Sequence, residues 1–101
     1  MAIKQIKSEH TRLSILIALT EDAGYSLNSS MICDVLKLYH LKCSRDEVHT
    51  ELAWLERNGY VTLEKLSANT WLATITQNGF DVVEGNIVAP GIKRPGPRSQ
   101  L

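Results

Sequence analysis

The stretch Ser44-Arg-Asp-Glu-Val-His-Thr-Glu-Leu-Ala-Trp-Leu-Glu-Arg-Asn-Gly-Tyr-Val-Thr-Leu-Glu-Lys-Leu66 changes period halfway along, and that change decides the fold. Ser44 with Glu47 three residues on is a capping box, in which each side chain satisfies the other's free backbone N–H. Val48, Leu52 and Leu55 follow at i, i+4 and i+7, and Asn58-Gly59 is a typical C-terminal stop. From Tyr60 the period is 2, with Val61 and Leu63 inward. Ser67-Ala68-Asn69-Thr70 has turn chemistry, and Trp71, Ala73 and Ile75 alternate on a return strand. A capped helix therefore feeds directly into a hairpin.

Upstream, Leu41-Lys42-Cys43 is a short turn. Before it, Met31, Ile32, Val35, Leu36 and Tyr39 give a second helix, about Ser30 to Leu41, its inner stripe. Asn28, Ser29 or Ser30 can cap that helix, and Tyr25-Ser26-Leu27 is an extended connector or an edge strand. Ile6, Leu13, Leu16 and Ile17 define a first helix from Gln5 to Glu21, with Gly24 suited to a left-handed cap. Downstream, Thr76 can cap a short last helix, Gln77 to about Glu84, that Gly85-Asn86 stops. From Ala89 on, three prolines and two glycines accompany Lys93, Arg94 and Arg98, a composition that predicts a mobile tail. The expected division is a domain over 1–86 and a flexible basic tail over 87–101.

The order helix, extended piece, helix, turn, capped helix, hairpin, short helix is that of a mainly α winged helix-turn-helix domain. Glu51-Leu-Ala-Trp-Leu-Glu-Arg-Asn-Gly-Tyr-Val61 resembles the third helix and first wing strand of winged-helix regulators. Ala73-Thr-Ile-Thr-Gln-Asn-Gly-Phe80 resembles their wing-closing segment. The whole chain, with its Pro-Gly-Ile-Lys-Arg-Pro tail, is similar to small proteins of Mu-like prophages. The resemblance implies DNA binding as the commonest use of the fold, although fold alone does not fix function.

Composition narrows the field. The 101 residues suffice for one domain, and 44% hydrophobic with 22% charged residues is ordinary globular composition. No apolar run reaches membrane-spanning length, and Met1 to Lys7 lacks a secretory h-region, so the expected location is cytoplasmic. Cys33 and Cys43 form no CxxC pair and read as reduced thiols. His40-x-x-Cys43 lacks a second ligand pair. The arsenic-responsive metal sensors share the fold, but this third helix has no CxC motif; no metal and no cofactor are expected. No nucleophile elbow, P-loop, zinc-protease motif or Rossmann fingerprint is present, which predicts a protein without catalytic activity.

Eleven basic residues balance eleven acidic ones, so the distribution of charge must carry any case for double-stranded DNA as partner. With Val48, Leu52 and Leu55 inward, the third helix presents Asp46, His49, Thr50, Ala53 and Arg57, with Ser44 and Arg45 at its leading end. His49, Thr50 and Arg57 have the donors that base readout requires. From Ser44 to Asn58, however, two arginines face four carboxylates, which opposes phosphate binding. Compensating cations lie at Lys4, Lys7, Arg12, Lys37, Lys42 and Lys65, and in the tail at Lys93, Arg94 and Arg98. Asn69 offers the wing tip a hydrogen-bonding side chain but no charge. Trp54 and Trp71 read as packing residues. The extra apolar pair Ile15 and Leu19, with Phe80 and Val83, predicts a homodimer interface. Two functions remain open: a DNA-binding regulator using the third helix and wing, and a protein-interaction module holding a phage or host partner. A continuous basic stripe beside the third helix would favour the first; scattered basic residues would favour the second.

Overall fold

A computed structural model of the chain describes residues 2–96. Its elements run α1 (Ala2–Glu21), β1 (Ser26–Asn28), α2 (Ser29–Leu38), α3 (Arg45–Arg57), β2 (Val61–Lys65), β3 (Trp71–Ile75) and α4 (Gln77–Val83). The strands form one antiparallel sheet in the order β1-β3-β2, with Leu27 opposite Ala73 and Val61 opposite Ile75. This is the winged helix-turn-helix expected from the sequence, with β2 and β3 as the wing and β1 as the edge strand.

The local signals explain most of the boundaries. Ser44 Oγ accepts from Glu47 N at 3.1 Å while Glu47 Oε1 accepts from Ser44 N at 2.8 Å, so the capping box is complete. Gly59, at φ 83°, takes the left-handed position that ends α3; Tyr60 N then donates to Leu55 O at 2.9 Å. α2 ends at Leu38, three residues before its expected limit. His40 (φ 60°) makes the same turn, with Leu41 N donating to Leu36 O at 2.9 Å. At the end of α1 the left-handed residue is Tyr25 (φ 59°), not Gly24; Asp22 holds the turn by accepting from Gly24 N.

Leu13, Ile15, Leu16, Leu19, Ile32, Leu36, Val48, Leu52, Leu55 and Val61 form the centre of one core. α1 is covered by α2 and α3 and also by β3 and α4. The second apolar face of α1 therefore meets its own chain. Ile15, Leu19 and Val83 are at most 2% exposed and Phe80 is half-buried, packed edge-on against Tyr25 at 5.1 Å. The dimer interface expected from these four residues is taken up by intrachain packing. Ile6, Met31 and Tyr39, expected to face inward, are exposed, because the N-terminal turns of α1 overhang the core and only Ser29, Ile32 and Leu36 of α2 are buried.

The segment after α4 departs most from expectation. Ala89 and Ile92 are buried in the core cluster, Lys93 N donates to Glu9 O at 3.1 Å, and an Arg12 guanidinium N–H donates to Gly91 O at 2.8 Å. Gly91, at φ 92°, lies so close to Trp54 that a Cβ would sit 2.6 Å from its ring. Residues 87 to 93 thus form a strap over α1 and α3, and the domain continues past 86. Arg98 lies outside the described residues.

Candidate nucleic-acid interface

α1 lies alongside α3 so that its Lys4, Lys7, Ser8, Thr11 and Arg12 face the outer side of the third helix. Together they enclose an open cleft of about 620 Å³, whose α3 wall is Glu47, Thr50, Glu51, Ala53, Trp54 and Arg57. The α1 residues lie three and four apart, as one helical stripe must.

Both carboxylates of the cleft are already engaged. Glu47 serves the cap, and the hydrogen bond from Ser44 N holds its carboxyl below the ordinary range, helped by Lys7 and Lys4. Glu51 pairs with Arg12 Nε at 2.7 Å, and the same guanidinium lies 4.0 Å over the Trp54 ring. Among the described residues, Lys4, Lys7 and Arg57 have no carboxylate within ion-pair distance. Lys7 Nζ instead donates to Lys42 O at 3.0 Å, which fixes it beside the turn between α2 and α3. The acidic third helix thus borders a surface of positive sign, because α1 supplies the cations.

The expected DNA-reading residues fall into three groups. Thr50, Ala53 and Arg57 line the cleft, with Asp46 exposed one turn before Thr50; Thr50 Oγ1 donates to Asp46 O at 3.0 Å. A second group belongs to the junction of α3 and wing. Arg45 donates to the backbone carbonyl of Asn69, its Nε is buried with no partner, and Lys65 Nζ lies 4.6 Å over Trp71. The Asn69 side chain is exposed at the wing tip, Lys42 is exposed at the turn, and Ser44 is the cap. Lys93 and Arg94, the third group, border a separate depression with Val82 and Ile87, outside the cleft.

His49 corrects the reading of the outer face. It is 8% exposed, its Nε2 is 2.7 Å from Ser29 Oγ, and its ring stacks on Trp71 with centroids 4.0 Å apart and planes within 1°. Burial, with Arg45 and Lys65 nearby and only Asp46 opposing, pushes its pKa below the ordinary histidine value. It sits 100° around α3 from Val48, and the wing covers that flank. His49 therefore cannot reach a base edge without leaving the core.

Sequence reasoning counted Lys4 and Lys7 among the compensating cations without placing them against the third helix, and read Trp54 as a packing residue. The available signal was the spacing of Lys4, Lys7 and Thr11, which forms a polar stripe on a helix otherwise read for its apolar face. Cys43 also borders the cleft as a free thiol, its pKa raised chiefly by burial. Among the described residues no group of three His, Cys, Asp or Glu could hold a metal, and no helix is long and apolar enough to cross a membrane.

No family model matches the chain. Solved structures share its fold. H. salinarum RosR superposes with a TM-score of 0.63 at 22% identity, covering 75% of this chain and 67% of that one. Sco3205, a MarR family transcriptional regulator from Streptomyces coelicolor in complex with DNA, gives 0.61 at 22% identity; it matches 80% of this chain, which spans about half (51%) of that one. At these identities the likeness is one of fold, and the fold is that of winged-helix regulators. Two proteins are related in sequence. An uncharacterized protein of Haemophilus influenzae is 44% identical over 77 residues, 76% of this chain and 74% of its own length. Uncharacterized protein gp26 of Escherichia phage Mu is 38% identical over 97 residues, 96% of this chain and 99% of its own length, so that its match takes in the strap as well as the wing. The chain belongs to the family of phage Mu protein gp26.

Proposed function

We propose that this protein is a DNA-binding regulator of prophage genes that occupies duplex DNA with the outer face of α3, its wing and the lysines of α1. One observation carries this reading. The cleft gathers Lys4, Lys7 and Arg57 beside Thr50 and Ala53, while its two carboxylates are held by a cap and an ion pair. Phosphate neutralisation supplies much of duplex affinity, and α1 provides the cations that α3 lacks. Thr50 and Arg57 are the side chains placed for base edges, whereas Lys4, Lys7 and Lys42 are placed for phosphates. The fold shared with a regulator solved on DNA, and kinship with a phage protein, support the same reading.

The test is a gel shift against fragments of the protein's own genomic neighbourhood at two salt concentrations. A retarded fragment that resists competition by random duplex supports the proposal. The second reading is a protein-interaction module, for which exposed apolar side chains such as Ile3 and Leu38, 76% and 78% exposed, would supply contacts. Absence of binding to any duplex at low salt would favour it.

A further inference from the structure

Beside the shared core and the Arg45–Asn69 hydrogen bond, a buried histidine ties the wing to the third helix. Trp71 opens β3. Its N–H donates to Ser29 Oγ at 2.8 Å, and Ser29 Oγ donates to its carbonyl at 3.2 Å. His49 lies on one face of the Trp71 indole and Lys65 Nζ on the ring at 4.6 Å. One proton arrangement satisfies every contact: His49 Nε2–H donates to Ser29 Oγ, which accepts from Trp71 N and donates to Trp71 O. The first residues of α2 and β3 and the middle of α3 therefore meet at one imidazole.

We propose that His49 is a positioning residue for DNA binding, holding the wing at a fixed distance from the outer face of α3 so that both meet a duplex without rearrangement. This rests on the DNA-binding reading above and adds to it a dependence on the protonation of a residue that touches no DNA. The charged groups facing His49 are Arg45 and Asp46 of α3 and Lys65 of β2; Ser29 of α2 and Trp71 of β3 are neutral. With Nε2–H already committed to Ser29, acid adds its proton at Nδ1. The imidazolium would then be a third cation beside Arg45 and Lys65, opposed by one carboxylate and largely out of water. Moving Trp71, and with it the wing, away relieves that cost by admitting water.

The opposite trend follows from net charge alone. Acid makes the protein more positive, so ordinary phosphate attraction strengthens as pH falls. A loss of affinity in acid therefore identifies the wing.

The experiment follows duplex affinity by anisotropy from pH 8 to pH 5 at constant ionic strength, on a fragment retained in the gel shift, for the full chain and for His49→Phe. In parallel, NMR follows the Trp71 indole and backbone signals without DNA, distinguished from Trp54 by Trp54→Phe. The expected result is a loss of about tenfold in the natural chain at acid pH, the size of one good contact, with Trp71 signals moving along the His49 titration. His49→Phe keeps an aromatic ring against Trp71 but cannot titrate, and its affinity should hold or rise in acid. Equal pH profiles for the two proteins overturn the proposal, as do Trp71 signals indifferent to His49. The natural chain tests it even if His49→Phe fails to fold, since its affinity must fall in step with the Trp71 shifts. A chain that binds no duplex at any pH, yet shows the Trp71 titration, overturns the DNA-binding reading and leaves His49 a purely structural latch.

Discussion

Replacing Gly91 with alanine should destabilise the domain well beyond the ordinary effect of alanine at a left-handed glycine. Two costs add. Gly91 has φ 92°, where an L side chain is strained by about 1–2 kcal/mol. The new Cβ would also sit 2.6 and 2.9 Å from two Trp54 ring carbons and 3.2 Å from an Arg12 guanidinium nitrogen. Trp54 cannot simply retreat, because Arg12 lies on its ring while bonded to Glu51 and to Gly91 O. Overpacking of this kind typically costs a further 1–3 kcal/mol or so. Gly85 is the internal control: it has φ 78° with no atom within 4 Å of a built Cβ, so Gly85→Ala carries the first cost alone. Urea unfolding of both variants against the natural chain measures the difference. Gly91→Ala should be the less stable by about 1–3 kcal/mol, and each kcal/mol lowers Tm by about 4–8 °C in a domain of this size. Equal destabilisation of the two variants would refute the claim that the strap is packed against Trp54.

Three further outcomes are expected. Ser44→Ala removes the accepting half of the capping box and should cost about 1 kcal/mol, read by the same urea titration; an unchanged midpoint would show that α3 does not depend on its cap. Stability should rise with pH up to the ordinary histidine pKa and level off above it, because the folded pKa of His49 is the lower one and the unfolded chain binds the extra proton; a urea midpoint that is flat from pH 5 to 7, or a slope that persists in His49→Phe, would contradict this. Lys4→Ala and Lys7→Ala should each reduce the salt slope of duplex binding by about 1, whereas Arg57→Ala should cost about 1–3 kcal/mol and relax specificity; lysine variants with an unaltered slope would remove α1 from the interface.

The strongest local signals were enough to read from the sequence. The capping box at Ser44, the stop at Asn58-Gly59 and the alternation from Val61 to Ile75 each depend on residues within a few positions of one another, and they define α3 and the wing. The misreadings that bear on the site involve a partner distant in the chain; the local ones are confined to helix ends, where the left-handed turns fall at Tyr25 and His40. His49 has an outward-facing residue's polarity, but Ser29 and Trp71 arrive from twenty residues before and from the far side of the wing. Ile15 and Leu19 suggested a second subunit because nothing near them shows that β3 and α4 return to cover α1. The strap has the proline and glycine content of a mobile end, and only the approach of Trp54 to Gly91 explains the glycine. In the cleft, Thr50, Ala53 and Arg57 were legible from helix periodicity. The lysines facing them were not, since the angle between α1 and α3 is set by core packing.

Arg12 also bears on the order in which the molecule assembles. Its hydrogen bond to Gly91 O joins residues 79 apart in the chain, whereas the helix caps and the wing close over short separations. Loop-closure entropy favours the short-range structure first. The helices and hairpin can collapse around Leu16, Leu52 and Val61 before the strap arrives, leaving Arg12 to pair with Glu51 alone in the interim. An interaction formed after the rate-limiting step leaves the folding rate nearly unchanged and slows unfolding instead. The strap then acts as a late fastener, setting how long the folded domain lasts rather than how fast it forms.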